Sequence, residues 1–455
     1  MERKVKTSIR VIVLAVTALL SAHASFAEEL TPAGAEKAGN KDGTIPAFNG
    51  KSSPTSGWSV GKYRGDYWSH KDEKPIFIID ASNVDKYASK LSPGQVQLIK
   101  TNKGYTMPVY PSHRDCGFPD FVLENTKANA GKAAIGSDGW SLDKAVLPSI
   151  PFPEPKSGIE AMWNWLARYQ GVGQDSPAGV SVVSASPGGS NRIEISWTQL
   201  IYFPWGKKGA SSPSDHGGIE NAMYYSYTDP AALAGQGLVQ RYYFSKDTDA
   251  YYYFTGQRRV RRLPSYAYDS PLIGFENQYP SDSQFIFYGN PDRFDWKIVG
   301  KKEMYVPYNN FQAQNFNVKV SDAIGPTFVN PAQRRYELHR VWEVVGTVKS
   351  GVRHTAAKKV MYLDEDSWNI VVGDDYDVQG KLWKTKENNV VPTWELGGTC
   401  TVPTFAMYDL TNGRYVADML VYGTGKDQRR FETASDKRLR DDFFTSQSLQ
   451  SMSER

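Results

Sequence analysis

Beyond Gly188 the chain alternates apolar and polar residues with a period of two, which predicts strands. In 192–203, Ile193, Ile195, Trp197, Ile201 and Phe203 share one face, opposite Arg192, Glu194, Ser196 and Thr198. In 336–348, Tyr336, Leu338, Trp342, Val344 and Val348 oppose Glu337, His339, Glu343 and Thr347. Trp368, Ile370 and Val372 alternate with Asn369 and Val371. Further strand patterns lie at 219–228, 236–245, 249–255, 257–263, 295–306, 355–363, 380–386, 401–409 and 414–422. Turn signals such as Lys349-Ser350-Gly351, Asp364-Glu365-Asp366 and Thr411-Asn412-Gly413 separate many of them. Sequential strands with short turns make an antiparallel meander, and about a dozen strands are too many for a flat sheet. The expected fold is mainly β with flanking helices (α+β), built on a large curled antiparallel sheet or open β-barrel with an oily, partly unfilled inner face.

Before Gly188 the period is helical. Ser82 with Asp85, and Ser92 with Gln95, read as capping boxes of two short helices. Ser157 and Glu160 open a third helix, along which Ile159, Met162, Trp163, Leu166 and Tyr169 recur on one face. That face packs in a core or plugs the mouth of an open barrel, which makes Trp163 a candidate lining residue. Residues 28–75, rich in Gly, Pro, Ser and Lys, read as an extended arm. The expected layout is a signal peptide at 1–27, the arm at 28–75, and one integrated domain at 76–455. Within that domain 80–170 is helical, 190–425 is sheet and 426–455 is a tail.

Charge changes the picture at a few points. Arg258, Arg259, Arg261 and Arg262 surround Val260 and point to both faces of one strand. They are either solvated charges on an edge strand or an anion or lipid-headgroup site at the mouth of a greasy cavity. Lys302 interrupts the apolar face of Trp296, Ile298, Met304 and Val306, and Arg340 interrupts that of Tyr336, Leu338 and Trp342. Each needs an acidic partner, an exit to water or a ligand. These six cations and Trp163 are the expected ligand-binding residues.

The N-terminus carries Arg3, Lys4, Lys6 and Arg10, an apolar run Val11–Leu20, and Ser25-Phe26-Ala27. This predicts a secretion signal cleaved after Ala27, with export to a periplasm and possible attachment to the outer membrane left open. Cleavage takes +3 from the net charge of +4, and the near-neutral remainder argues against nucleic acid. No later stretch is apolar enough to span a bilayer. Two cysteines in an oxidising compartment suggest a disulfide between Cys116 and Cys400, which could contribute roughly 4–5 kcal/mol.

Catalytic motifs are lacking. Gly57-Trp58-Ser59-Val60-Gly61 matches a serine-hydrolase elbow, but no strand precedes it and no helix follows. No phosphate-binding or dinucleotide-binding glycine motif is present. His339 and His354 are the one pair worth testing as metal ligands. A hairpin turning at Ser350 sets His339 opposite Met361 and far from His354, so no metal is expected. The acids at 364–366 and 374–377 read as turn residues. No catalytic residue and no cofactor is assigned.

Several blocks are similar to a known family: Leu30-Thr31-Pro32-Ala33-Gly34-Ala35-Glu36-Lys37-Ala38-Gly39-Asn40, Gln257-Arg258-Arg259-Val260-Arg261-Arg262, Pro291-Asp292-Arg293, Val306-Pro307-Tyr308-Asn309-Asn310, Arg335-Tyr336-Glu337-Leu338-His339-Arg340-Val341-Trp342 and Tyr362-Leu363-Asp364-Glu365-Asp366-Ser367-Trp368. Together they resemble the domain-of-unknown-function 1329 family of exported proteobacterial proteins, from about residue 30 to about 420. The resemblance implies a fold like the periplasmic lipoprotein carriers, open barrels closed by helices over an acyl-chain cavity. It also implies association with envelope transporters of the resistance-nodulation-division type. It supplies no catalytic residue. The expected function is a periplasmic binding protein or carrier for a lipid or acylated ligand, linked to outer-membrane trafficking. The alternatives are a periplasmic hydrolase with dispersed acid or histidine chemistry, and a structural adaptor of an envelope transport complex.

Overall fold

The computed structural model describes residues 29–53, 55, 57–426, 429–432 and 436–453, so the expected signal and its cleavage site lie outside the described residues. The strands are β1 (Phe77–Ile79), β2 (Met107–Val109), β3 (Ala134–Ile135), β4 (Leu142–Lys144), β5 (Gly173–Val183), β6 (Ile193–Tyr202), β7 (Ile219–Asp229), β8 (Gly237–Tyr243) and β9 (Asp249–Phe254). They continue with β10 (Arg259–Arg262), β11 (Phe294–Pro307), β12 (Tyr336–Val348), β13 (Lys358–Asp364), β14 (Ile370–Tyr376), β15 (Leu382–Thr393), β16 (Thr399–Asp409), β17 (Tyr415–Leu420) and β18 (Arg430–Glu432). Sixteen of them form one curled sheet that does not close into a barrel, and β3 and β4 pair separately.

Strands β5 to β10 make one antiparallel meander and β11 to β17 a second. The two join where β17 pairs with β5, Val416 opposite Val183. The sheet thus starts ahead of the expected boundary at 190, and it also takes in β1 and β2 beside β12. Cys116 and Cys400 are disulfide-bonded, with Cα atoms 5.1 Å apart. No helix among the described residues is long and apolar enough to cross a membrane.

The expectation of an unfilled, oily inner face is overturned. The crossover from β10 to β11 has to pass from one edge of the sheet to the other, and it runs across the inner face. Tyr279 to Pro291 is buried throughout. Lys386 Nζ donates to the Ile286 carbonyl at 3.1 Å, Asn388 Nδ2 to the Phe285 carbonyl at 2.9 Å, and His354 Nε2 meets Asp282 at 2.8 Å. Phe285 and Ile286 have φ of 50° and 75°, a conformation a β-branched residue rarely adopts. Gly373 of β14 makes room for Ile286, because a Cβ there would lie 2.4 Å from its side chain. The helix Gly158–Leu166 covers more of the face, and Trp165 Nε1 donates to the Phe287 carbonyl at 2.9 Å. The void left beside the crossover, lined by Tyr279, Ser281 and Gln284, measures only about 30 Å³. The face itself is polar in places: Lys359, Asp375 and Lys386 are buried there as ion pairs, Lys386 to Asp375 at 2.7 Å.

Candidate ligand groove and buried ion network

The covered face stays open at the β11–β12 end. Cross-strand partners share a face. Val344 pairs with Met361, which pairs with Gly373 under the crossover. Trp342, two residues from Val344, therefore looks the same way. A groove of about 930 Å³ lies here between the arm, the 153–156 segment and Trp342, with Leu30, Ala38, Pro153 and Pro155 on its walls.

The arm is locked in place. Thr31 Oγ1 accepts the Ala35 amide at 3.1 Å, and the Ala33 carbonyl accepts Trp368 Nε1 at 2.8 Å. Gly34, with φ of 93°, cannot carry a side chain, since a Cβ would sit 1.9 Å from the Pro153 carbonyl oxygen. Trp342 lies parallel to Trp368 at 6.1 Å. Lys301 Nζ stands 4.7 Å above the Trp342 ring and pairs with Glu365 at 2.9 Å and Glu36 at 3.2 Å. The Trp342 indole N–H is buried and has no acceptor among the described residues.

Behind this wall runs a buried ion network. Arg114 grips Asp366 through Nε at 2.9 Å and Nη2 at 2.5 Å, and Nη2 also reaches Glu365 at 3.1 Å. Tyr308 donates to Asp364 at 3.0 Å and stacks on His339 at 3.7 Å. His339 lies 3.3 Å from Glu337 and 3.7 Å from Asp364. Arg335 pairs with Glu337 at 2.8 Å and with Glu73 at 2.8 Å. Burial, with the charge of Asp366, pushes the Asp364 carboxyl up to about 7. Burial works against the His339 imidazolium, but its bond to Glu337 and the charge of Asp364 outweigh that, and its pKa is raised. His339, Asp364 and Asp366 offer ligand atoms within 4.8 Å of one another. Both oxygens of Asp366 are already held by Arg114, and a metal cation would sit against that guanidinium. The cluster fits an ion-pair network better than a metal centre.

This corrects the expected β12–β13 register. Val341 pairs with Asp364 and Val344 with Met361, because residues 349–357 form a loop instead of a tight turn at Ser350. His339 accordingly meets the acids at 364–366 and not Met361. Those acids do occupy a turn, yet they are buried. Asp374 and Asp375 lie within β14 and are buried, not turn residues.

The seven expected ligand residues do not converge. Arg258, Arg259, Arg261 and Arg262 are exposed on or beside the edge strand β10, where Arg262 pairs with Asp249 at 2.8 Å and Arg261 lies 6.0 Å from the Phe254 ring. Of the four, Arg262 borders a surface recess of about 680 Å³ beside the helix Ser446–Ser453. Lys302 faces Glu343 at 3.4 Å and the Tyr362 ring at 4.8 Å. Arg340 is tied to Glu365 at 3.3 Å and to the Ala38 carbonyl at 3.0 Å. Trp163 is core, its Nε1 donating to the Trp140 carbonyl at 2.5 Å. Lys301 and Trp342, which do line the groove, were not expected there. A bulge between Ile298 and Gly300 shifts the alternation, so that Lys301 pairs with Trp342 and shares the face of Trp296 and Ile298. A bulge of this kind has no dependable signature in the alternation itself.

Comparison with known proteins identifies relatives. A family model described as a protein of unknown function, DUF1329, matches residues 78–450. An uncharacterized protein of Pseudomonas aeruginosa is 37% identical over 408 residues, spanning 87% of this chain and 86% of its own length. A domain from Vibrio parahaemolyticus, provisionally described as an outer-membrane lipoprotein-sorting protein, aligns with a TM-score of 0.44 at 13% identity, over 64% of this chain and 98% of its own. A DUF1329 family protein from Desulfovibrio piger aligns with a TM-score of 0.40 at 12% identity, over 60% of this chain and 92% of its own. Neither structural likeness is close enough to carry an argument about function. The family match and the long stretch of identity with the Pseudomonas relative do carry one about kinship: the chain belongs to the DUF1329 family of proteins of unknown function.

Proposed function

We propose that the protein is a periplasmic binding protein or carrier for a hydrophobic ligand with an anionic group, held in the groove at the open end of the sheet. The observation that carries this reading is the groove itself: about 930 Å³, with the Trp342 ring and the Lys301 ammonium on one wall. That volume suits a small-molecule site. An apolar chain against Trp342, Leu30 and Pro153 would gain about 0.8 kcal/mol per buried CH₂. Lys301, together with Lys37 and Lys156 on the groove's lining, would meet the anionic head. An envelope transporter is the partner class to which such a carrier would pass its ligand.

Mass spectrometry of lipid extracted from the protein purified from membranes-free periplasm, and titration with a fluorescent fatty acid, test this. One bound chain per protein is expected, with affinity at least ~10-fold lower in Trp342→Ala. Protein that is empty on extraction, with probe binding indifferent to Trp342→Ala, would overturn the proposal. The filled interior favours a second reading, a structural adaptor of an envelope complex, and that negative result would support it.

A further inference from the structure

Two histidines from distant parts of the chain meet at the surface on one carboxylate. The turn that brings Glu73 beside His70 is closed by the Glu73 amide donating to the His70 carbonyl at 3.2 Å. His113 is placed by its own amide, which donates to Glu337 at 2.8 Å. His113 Nε2 lies 2.7 Å from Glu73 Oε1, and His70 Nδ1 lies 3.4 Å from the same oxygen. The two imidazoles stack at 3.7 Å, 16° from parallel. Trp68 packs edge-on against both rings, at 5.4 and 5.8 Å. Arg335 holds the other oxygen of Glu73 at 2.8 Å and leaves Oε1 to the histidines. The side chains of His70, Glu73 and His113 are 38%, 22% and 18% exposed, so the cluster is open to solvent. Glu73 also borders a recess of about 370 Å³.

We propose that His70, Glu73 and His113 form a binding site for a borderline divalent transition metal of the Zn²⁺ class. Two imidazole nitrogens and a carboxylate oxygen are the donor set such ions prefer. Around a tetrahedral Zn²⁺, ligand atoms lie about 3.3 Å apart. The His70–Glu73 spacing already matches, and the His113–Glu73 spacing has to open by about 0.6 Å. The rings are nearly parallel, with their lone pairs in separate planes, so one imidazole has to tilt for both to reach a single ion. The Arg335–Glu73 bond is the kind of outer contact that orients a ligating carboxylate. Three protein ligands leave a fourth position for water or for a group from a bound partner. The buried His339 cluster differs in that Arg114 already occupies both oxygens of Asp366.

The test is calorimetric titration of the chelator-treated, full mature protein with Zn²⁺ alone. One equivalent is expected to bind, and Co²⁺ in its place is expected to give ligand-field absorption bands. His70→Ala should weaken binding more than ~10-fold, while His216→Ala, at an exposed site elsewhere, should leave it unchanged. His113 is the more buried of the two, so His113→Ala risks the fold, and the more exposed His70 is the deciding position. Zn²⁺ should raise the thermal midpoint of the wild type and not of His70→Ala. No stoichiometric binding, or equal binding by wild type and His70→Ala, would overturn the proposal.

Discussion

Glu220 is a residue whose environment decides its charge. It is buried beside Asn221, which donates to it, and burial pushes its carboxyl up to about 8 although Asn221 and Arg168 pull the other way. Between an unfolded value near 4.5 and the folded value near 8, the folded state keeps a proton that the unfolded chain has released. Stability therefore falls as pH rises through that window. Glu220→Gln imitates the neutral acid and removes the loss. Denaturant titrations should find it close to wild type at pH 4–5 and more stable by up to a few kcal/mol at pH 8. An unchanged pH slope would mean that the carboxyl is ionised in the fold. Residues of this kind were hardly legible in the sequence. Lys302 and Arg340 could be recognised as cations in need of partners, and both have them. Which lysine faces the groove turned on one bulged residue in β11.

Elements were more legible, because their signals are local. Ser92 and Gln95 form the expected capping box: the Ser92 hydroxyl accepts the Gln95 amide at 3.1 Å, and the Gln95 side chain accepts the Ser92 amide at 3.0 Å. The helix they open, Pro93–Thr101, is pinned to β14, for Asp374 accepts the Gly94 amide at 2.8 Å and the Ser92 hydroxyl at 3.1 Å. Ser92→Ala should thus cost about 1–2 kcal/mol, seen as a lower urea midpoint at unchanged slope. A loss below a few tenths of a kcal/mol would show the cap to be redundant with the Asp374 contacts. The neighbouring box expected at Ser82 and Asp85 does not form. Ser82 bonds Asp80 at 2.6 Å instead, and the helix, Val84–Tyr87, is one turn whose N-cap position, Asn83, makes no side-chain capping bond. Strand β5 escaped notice for a physical reason. Pro177 and Gly179 break the alternation because they fall in a bulge where Gly179 accommodates the Trp197 ring, which a Cβ there would approach to 2.3 Å.

At the scale of the molecule, the meander order follows from neighbouring segments, while the joint between the meanders rests on β17 meeting β5 across more than 230 residues. No local pattern encodes that pairing, nor the route of the crossover through the inner face. The cysteine count did point to the one covalent tie, across 284 residues. Its loop length sets an upper bound of about 5.6 kcal/mol on what the tie adds by restricting the unfolded chain. The segment it anchors has other holds. Ser112 donates to the Leu338 carbonyl at 2.7 Å, the His113 amide bonds Glu337, and Arg114 grips Asp366 and Glu365. The bond should accordingly add stability without defining the architecture. Cys116→Ser with Cys400→Ser is expected to lower the unfolding free energy by no more than that bound and to keep the near-ultraviolet dichroism of the buried tryptophans. Loss of that signal in native buffer would mean that the ion network cannot hold the segment against β12 unless the disulfide has first brought it there.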